Sequence, residues 1–154
     1  MKLYLVQHAK AVDKDVDAER PLSAEGKEDM KKVGAFLKAK PLSVARLWHS
    51  RKLRAGQTAD VLAKTVEVTG KTEERKELGP NDDVRAVADE LNAESASIML
   101  VGHMPFVGRL ASLLLTGSEQ AGVVRFTQGC VVCLGRDQDG KWLIEWMITP
   151  ETAG

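Results

Sequence analysis

The feature that most limits the possible folds is a repeated alternation of short apolar segments with longer amphipathic ones. The segments "KLYLVQ" at residues 2–7, "VARLWHS" at 44–50 and "SIMLVGH" at 97–103 have the length and apolar content of buried strands. Between the first two, apolar residues such as Met30 and Val33 recur at helical spacing. Strands separated by helices predict a parallel sheet that is covered by helices on both faces.

The helical segments can be placed from their start signals and their periodicity. Ser23, just after a proline, is a suitable N-cap for the first helix. We predict further helices at about 52–64, over "VRAVADELNA" at 84–93, and from "PFVGRLASLLL", where Pro105 lies in the first turn. Residues 65–82 fit neither pattern clearly.

The C-terminal part, "GCVVCLGRDQDGKWLIEWMI", reads as two strands joined by an Asp-Gly turn. The fold class is therefore α/β: a three-layer α/β/α sandwich, mostly parallel, with an antiparallel C-terminal edge hairpin, in a single domain over residues 1–154. The Cys130 and Cys133 pair could be a redox or half-zinc motif. Positions i and i+3 of a strand face opposite ways, so we predict a structural role for both cysteines.

Composition excludes several classes of protein. Hydrophobic residues make up 44% and charged residues 29%, as in globular proteins, and no apolar run is long enough to span a bilayer. The N-terminus lacks the apolar core of a signal peptide, so we expect a cytoplasmic location. Basic residues are concentrated in the first half of the chain, a pattern that is most often a solvated helix face and that can also favour an acidic or phosphorylated ligand. They are scattered and aromatic residues are few, which argues against nucleic acid as a partner.

Three predicted strands end in chemically active side chains. His8 follows the first strand, "HSRKLRAGQT" follows the second, and His103 follows the third predicted strand. Ligands of open α/β sheets bind at the carboxyl ends of strands, beside helix N-termini that favour anions. We therefore expect one edge of the sheet to collect these histidines together with Ser50, Arg51 and Arg54.

The same residues carry a resemblance that extends over almost the whole chain. The segments "LYLVQHAK", "RPLSAEG", "SRKLRAGQT" and "VGHMPFVG" occur in this order and spacing. Together they resemble the phosphoglycerate mutase-like histidine phosphatase superfamily, and most closely its small phosphohistidine phosphatases of the SixA type. The family's Arg-His-Gly or Arg-His-Ala motif is matched at His8 and Ala9, but Gln7 stands where the arginine is expected.

The resemblance implies a role for three residues. His8 would be the nucleophile that takes up the phosphoryl group, Arg54 a phosphate-binding arginine, and His103 the second histidine of the pocket. Neutral imidazole is a good nucleophile near pH 7, and a guanidinium group can bind two phosphate oxygens at once. This chemistry requires no metal and no cofactor.

Four further residues are candidates for contact with the substrate. Gln7 would lie beside His8, and Arg20 could reach the phosphate or stay at the surface. Ser50 fits the ordering of the turn after its strand better than chemistry. Glu77 resembles the acid that protonates the leaving group in larger family members. His49 is expected to point away, because neighbouring residues of a strand face opposite sides.

The leading hypothesis is an enzyme that removes phosphate from phosphohistidine in a protein, for example a phosphotransfer domain of a signalling relay. Alternatives are a small-molecule phosphomonoesterase, a phosphoglycerate mutase, and a weakened or inactive module that binds phosphate or a protein partner. The short stretches between motifs leave little room for a mutase lid. Gln7 favours the binding module, since glutamine lacks the charge and fork of arginine, unless Lys10, Arg51 or Lys52 supplies the charge. A three-histidine metal hydrolase is disfavoured because no two histidines share a metal-binding spacing.

Overall fold

The computed structural model describes residues 1–154, and its six strands form one sheet with the order β3-β2-β4-β1-β5-β6. The strands are β1 (Lys2–Gln7), β2 (Ser43–His49), β3 (Glu67–Glu74), β4 (Ile98–Gly102), β5 (Val131–Arg136) and β6 (Trp142–Ile148). β1 to β4 pair in parallel, whereas β5 is antiparallel to both β1 and β6. This arrangement confirms the predicted mostly parallel sheet with an antiparallel hairpin at its C-terminal edge.

Helices cover both faces of the sheet, so the predicted three layers are present. The helices are α1 (Ala24–Ala39), α2 (Leu53–Leu62), α3 (Arg85–Ala93), α4 (Phe106–Thr116) and α5 (Pro150–Ala153), with a short 3-10 helix at Lys76–Leu78. One core lies under α1 and α2, and the other lies under α3 and α4. The all-apolar β4, buried along its whole length, separates the two cores. No helix has the length and apolar character needed to cross a membrane.

Most elements begin and end near their predicted positions, and the exception is β3. Its sequence, "EVTGKTEE", carries four charged residues and is largely exposed, so it shows no strand-like apolar alternation. It forms a strand because it can pair with β2 at the edge of the sheet, where charged side chains remain in water. The two cysteines lie in different cores on opposite faces of the sheet, as the strand geometry predicts.

The start of α1 fixes the segment that follows β1. Ser23 caps the helix by accepting a hydrogen bond from Gly26 N at 3.0 Å, as predicted. The Ser23 N–H and hydroxyl both donate to the Lys10 carbonyl. A Cβ atom at Gly26 would lie 2.1 Å from that same carbonyl oxygen. The helix can approach the segment after β1 this closely only because residue 26 has no side chain.

We therefore expect Gly26→Ala to destabilise the protein although alanine favours helices. The backbone of Lys10 must move to admit the new methyl group, and such overpacking typically costs about 1–3 kcal/mol. The free energy of unfolding, measured by urea denaturation, gives the effect.

Gly56→Ala in α2 is the matched control. A Cβ atom there would meet only the His49 ring, at an ordinary contact distance of 3.6 Å. This substitution should be neutral or stabilising by up to about 1 kcal/mol, because glycine is the poorer helix former. Equal effects of the two substitutions would contradict the close approach of α1 to Lys10.

Candidate active site

Backbone hydrogen bonds continue beyond the ends of the parallel strands and bring three segments together. His8 N donates to Gly102 O at 2.9 Å, just past the end of β1. Ser50 N donates to Val101 O at 3.2 Å, just past the end of β2. The residues that follow β1, β2 and β4 therefore meet at the carboxyl edge of the sheet, between the N-termini of α2 and α4.

The side chains of His8 and His103 meet at this edge. Their ring centroids are 4.9 Å apart with an interplanar angle of 58°. His8 is 7% exposed and His103 is 2% exposed, so both imidazoles are largely withdrawn from water. The expected convergence of the two strand-end histidines is present in the structure.

His8 is held in one tautomer. Its Nδ1 lies 2.7 Å from the carbonyl oxygen of Ala9, which can only accept a hydrogen bond. Nδ1 of the neutral ring must therefore carry the hydrogen, and Nε2 keeps its lone pair. Burial lowers the pKa of His8 below its ordinary value, with further lowering by Arg54 and Arg20. At neutral pH His8 is an uncharged imidazole with an available Nε2 lone pair.

Ser50 positions the second imidazole. Its buried Oγ lies 2.5 Å from Nε2 of His103 and accepts a hydrogen bond from Lys52 N at 3.3 Å. Burial, His8, and the charges of Arg54, Lys52 and Arg20 lower the pKa of His103 to about 3. His103 is therefore neutral. Ser50 both orders the turn after β2, as the sequence indicates, and contacts the histidine pair.

Arg54 lies in the first turn of α2 and is linked to the His8 segment by Thr58. The Thr58 hydroxyl donates to Arg54 O at 2.8 Å and accepts from Ala9 N at 3.0 Å. Nε of Arg54 is buried and has no hydrogen-bond partner in the protein. The sequence analysis did not identify the role of Thr58, although its position four residues after Arg54 places both on one face of α2.

Arg20 approaches the same edge from the loop after β1. Its φ of 50° lies in the left-handed region, which residues with side chains seldom adopt. Its Nε donates to Val12 O at 3.1 Å, and the loop is further held by Leu22 N, which donates to Gln57 Oε1 at 2.7 Å. The charge of Arg20 lowers the pKa values of His8, His103 and Arg54. Arg20 therefore belongs to the electrostatic environment of the histidine pair.

Gln7, the last residue of β1, is half-buried. Its backbone carbonyl accepts a hydrogen bond from Gly129 N at 3.0 Å. Its side-chain Oε1 is buried without a hydrogen-bond partner. The residue that precedes His8 thus carries a buried, unpaired acceptor, where arginine would carry only donors.

Glu77 and His49 are held by other contacts. Glu77 pairs with Arg75, which also binds Glu90 and stacks over the Trp48 ring at 4.0 Å. Burial acts to raise the pKa of Glu77, but a hydrogen bond from its own backbone N–H, together with the hydrogen bond and charge of Arg75, outweighs burial and lowers the pKa. An ionised carboxylate in an ion pair does not fit a proton donor, so we do not carry the general-acid hypothesis forward.

His49 forms a hydrogen bond to Ser50 O through Nδ1 and packs beside α2.

The structure distinguishes among the three cations that could replace the missing charge at position 7. Lys10 is paired with Glu25 at 2.5 Å. Arg51 is exposed and forms no ion pair. Lys52 also forms no ion pair, and its charge contributes to the lowered pKa of His103. Of the three, only Lys52 has a charge that contributes to the lowered pKa of His103.

The arrangement suits a tetrahedral oxyanion. Arg54 Nε and His103 Nδ1 are buried nitrogens without partners, and an unsatisfied buried donor costs about 1–3 kcal/mol. An oxyanion bound beside the two imidazoles can accept from such donors and offset the positive charge of Arg54 and Arg20. No cluster of three or more histidine, cysteine or carboxylate side chains is arranged to hold a metal ion.

Comparison with known proteins shows which proteins this chain resembles. The model of the histidine phosphatase superfamily (branch 1) matches residues 3–78. The phosphohistidine phosphatase SixA of Escherichia coli is 27% identical over 97% of this chain and 94% of that protein. A solved structure of the protein histidine phosphatase SixA complexed with tungstate superposes with a TM-score of 0.85, at 27% identity and 97% coverage of both chains.

A more distant relative shares the fold. Phosphoglycerate mutase from Bacillus anthracis is 16% identical, with a TM-score of 0.72 over 99% of this chain and 95% of that one. The order of motifs, the three-layer fold and these similarities agree with one another. The chain is similar over residues 3–78 to the model of the histidine phosphatase superfamily (branch 1), and over nearly its whole length to the phosphohistidine phosphatase SixA.

Proposed function

We propose that the protein removes phosphate from phosphohistidine in another protein, through a covalent phosphohistidine intermediate on His8. Similarity to the histidine phosphatase superfamily and to SixA supports a phosphatase. The single observation that carries the proposal is the state of His8: a buried, neutral imidazole whose Nδ1 is bonded to Ala9 O and whose Nε2 lone pair is available. This is the state that a nucleophile at neutral pH requires.

The proposed reaction has two displacements. In the first, His8 Nε2 forms a bond to phosphorus while the P–N bond of the substrate breaks, and the departing imidazole keeps the electron pair and takes a proton from water. In the second, water attacks the phosphorus of phospho-His8 and the P–N bond breaks with its electron pair returning to Nε2. Inorganic phosphate leaves, and a proton of the attacking water neutralises the hydroxide formed in the first step. An imidazole leaving group needs less help from an acid than an alkoxide, so Glu77 is not required.

Arg54, Arg20 and the neutral donor His103 would stabilise the charge of the phosphoryl group during its transfer. Arg54 lies with the histidine pair, and the field of Arg20 reaches it. Because the Ser50 hydroxyl accepts from Lys52 N, its own hydrogen can be donated to His103 Nε2. The neutral His103 then carries its hydrogen on the unpartnered Nδ1, from which it can donate to a phosphoryl oxygen.

The proposed substrate is a phosphorylated protein, such as a histidine phosphotransfer domain, and the similarity to SixA supports this class. The solved SixA holds tungstate, a tetrahedral oxyanion like phosphate. The site needs no cofactor, because His8 and the basic side chains around it supply the nucleophile and the charge. We propose that the reaction also proceeds without a metal ion.

Replacing His8 by alanine should abolish phosphate release from a phosphohistidine peptide while leaving the fold intact. The residue lies beyond the end of β1 and outside both apolar cores. Phosphate release is compared between the two proteins with a phosphohistidine peptide and with an aryl phosphate. Circular dichroism verifies folding, and a chelator should leave the wild-type rate unchanged.

His49→Ala is the matched control, because it removes an imidazole at the end of the neighbouring strand that faces α2. Its turnover should stay close to wild type. Turnover that survives in His8→Ala, or that depends on a metal ion, would refute the mechanism. A higher rate on the aryl phosphate than on the peptide would favour a phosphomonoesterase.

Gln7 favours a second candidate function, a module that binds phosphate or a phosphorylated partner with little turnover. The observation is the unpaired, buried Oε1 beside His8. Loss of one charged donor that acts in the transition state can slow a reaction on the order of a hundred- to a thousandfold. The remaining cations could still bind phosphate.

Gln7→Arg distinguishes the two functions. If the protein is an enzyme weakened at this position, an arginine should raise the single-turnover rate by about tenfold or more, because its contact strengthens as charge develops. If the protein is a binding module, phosphate affinity should rise without turnover. If Lys52 already supplies the charge, the rate should stay level or fall. Unchanged rate and affinity would mean that position 7 does not face the phosphate.

A further inference from the structure

A cavity next to Ser50, the residue that contacts His103, is lined by exposed basic side chains. A cavity of about 550 Å³ is bordered by Ser50 and Arg54 on its inner side and by Arg51, Lys52 and Lys76 on its outer side. The three outer residues, which we call the basic rim, are exposed. The cavity can hold far more than one phosphate group.

The basic rim contributes to an excess of positive charge around the cavity. None of its three residues forms an ion pair. By contrast, the basic side chains that do pair with carboxylates include Lys2, Lys10, Lys31, Arg46, Lys71, Arg75, Arg85 and Arg109. The one acidic residue that lines the cavity is Glu19. The lining therefore carries four basic side chains, those of Arg54 and the three rim residues, against one carboxylate.

We propose that the basic rim binds acidic side chains next to the phosphohistidine of the substrate protein, so that the enzyme prefers phosphohistidine in an acidic sequence. This inference rests on the proposed function and adds that the substrate carries acidic residues around its phosphohistidine. The rim residues come from two elements, the start of α2 and the 3-10 helix at Lys76–Leu78, which border the same cavity. A partner segment that places its phosphohistidine at His8 would pass between them.

The reason for the preference is electrostatic. Each exposed contact between rim and substrate contributes little by itself, since surface ion pairs are screened by water and salt. Several cations of one sign around a cavity attract an acidic segment more effectively, and they repel a basic one. The effect of Arg51 and Lys76 should appear mainly in KM, because their charges, unlike that of Lys52, do not contribute to the lowered pKa values of the histidine pair.

The test uses three synthetic peptides that differ only in the residues flanking a central phosphohistidine: glutamates, serines or lysines. We expect the wild-type protein to show a KM about three- to tenfold lower for the glutamate-flanked peptide than for the lysine-flanked one, at similar kcat. Higher ionic strength should reduce the difference. The double variant Arg51→Gln/Lys76→Gln should lose most of it, while its kcat on the serine-flanked peptide stays near wild type.

Lys38→Gln/Lys40→Gln is the matched control. It removes the same charge at the end of α1, next to the start of β2 and so at the opposite edge of the sheet. This variant should keep the wild-type preference. Equal KM values for the three peptides, or an equal loss of preference in both double variants, would overturn the inference and leave the proposed function intact. Absence of phosphate release from every peptide would refute the proposed function and the inference with it.

Discussion

The site depends on the parallel register of β1, β2 and β4. Because β4 pairs with both neighbours, its last residues, Val101 and Gly102, accept hydrogen bonds from Ser50 N and His8 N beyond the ends of the other two strands. These two bonds place His8, Ser50 and His103 at one edge within a few ångströms. A shift of register by one residue would turn each side chain to the other side of the sheet and disperse the site.

A second constraint keeps the two imidazoles neutral. Protonation of either ring would place a further positive charge beside Arg54 and Arg20, in a region with little water. The site therefore concentrates positive charge on guanidinium groups, which remain protonated, and keeps its histidines free to act as nucleophile and hydrogen-bond donor. An incoming phosphoryl group carries negative charge and reduces the repulsion between Arg54 and Arg20. This reduction favours binding of the phosphoryl group.

The sequence predicted the three layers and the strand-end cluster because both follow from local patterns. His8 and His103 stand directly after apolar runs, and parallel strands bring their carboxyl ends to one edge. It could not predict β3, whose charged sequence becomes a strand only through pairing with β2. Nor could it show that Thr58 joins Arg54 to Ala9, or that Arg75 holds Glu77, because these contacts join residues that only the tertiary fold brings together.

The central claim is that His8 carries the phosphoryl group during turnover. The most direct measurement is to mix the protein with an excess of phosphohistidine peptide, quench in alkali within the first turnovers, and locate bound phosphate by mass spectrometry of the digested chain. The account predicts an acid-labile phosphate on His8, which decays as inorganic phosphate appears. Phosphate on His103 in place of His8, or steady turnover with no phosphorylated protein at any time point, would contradict it.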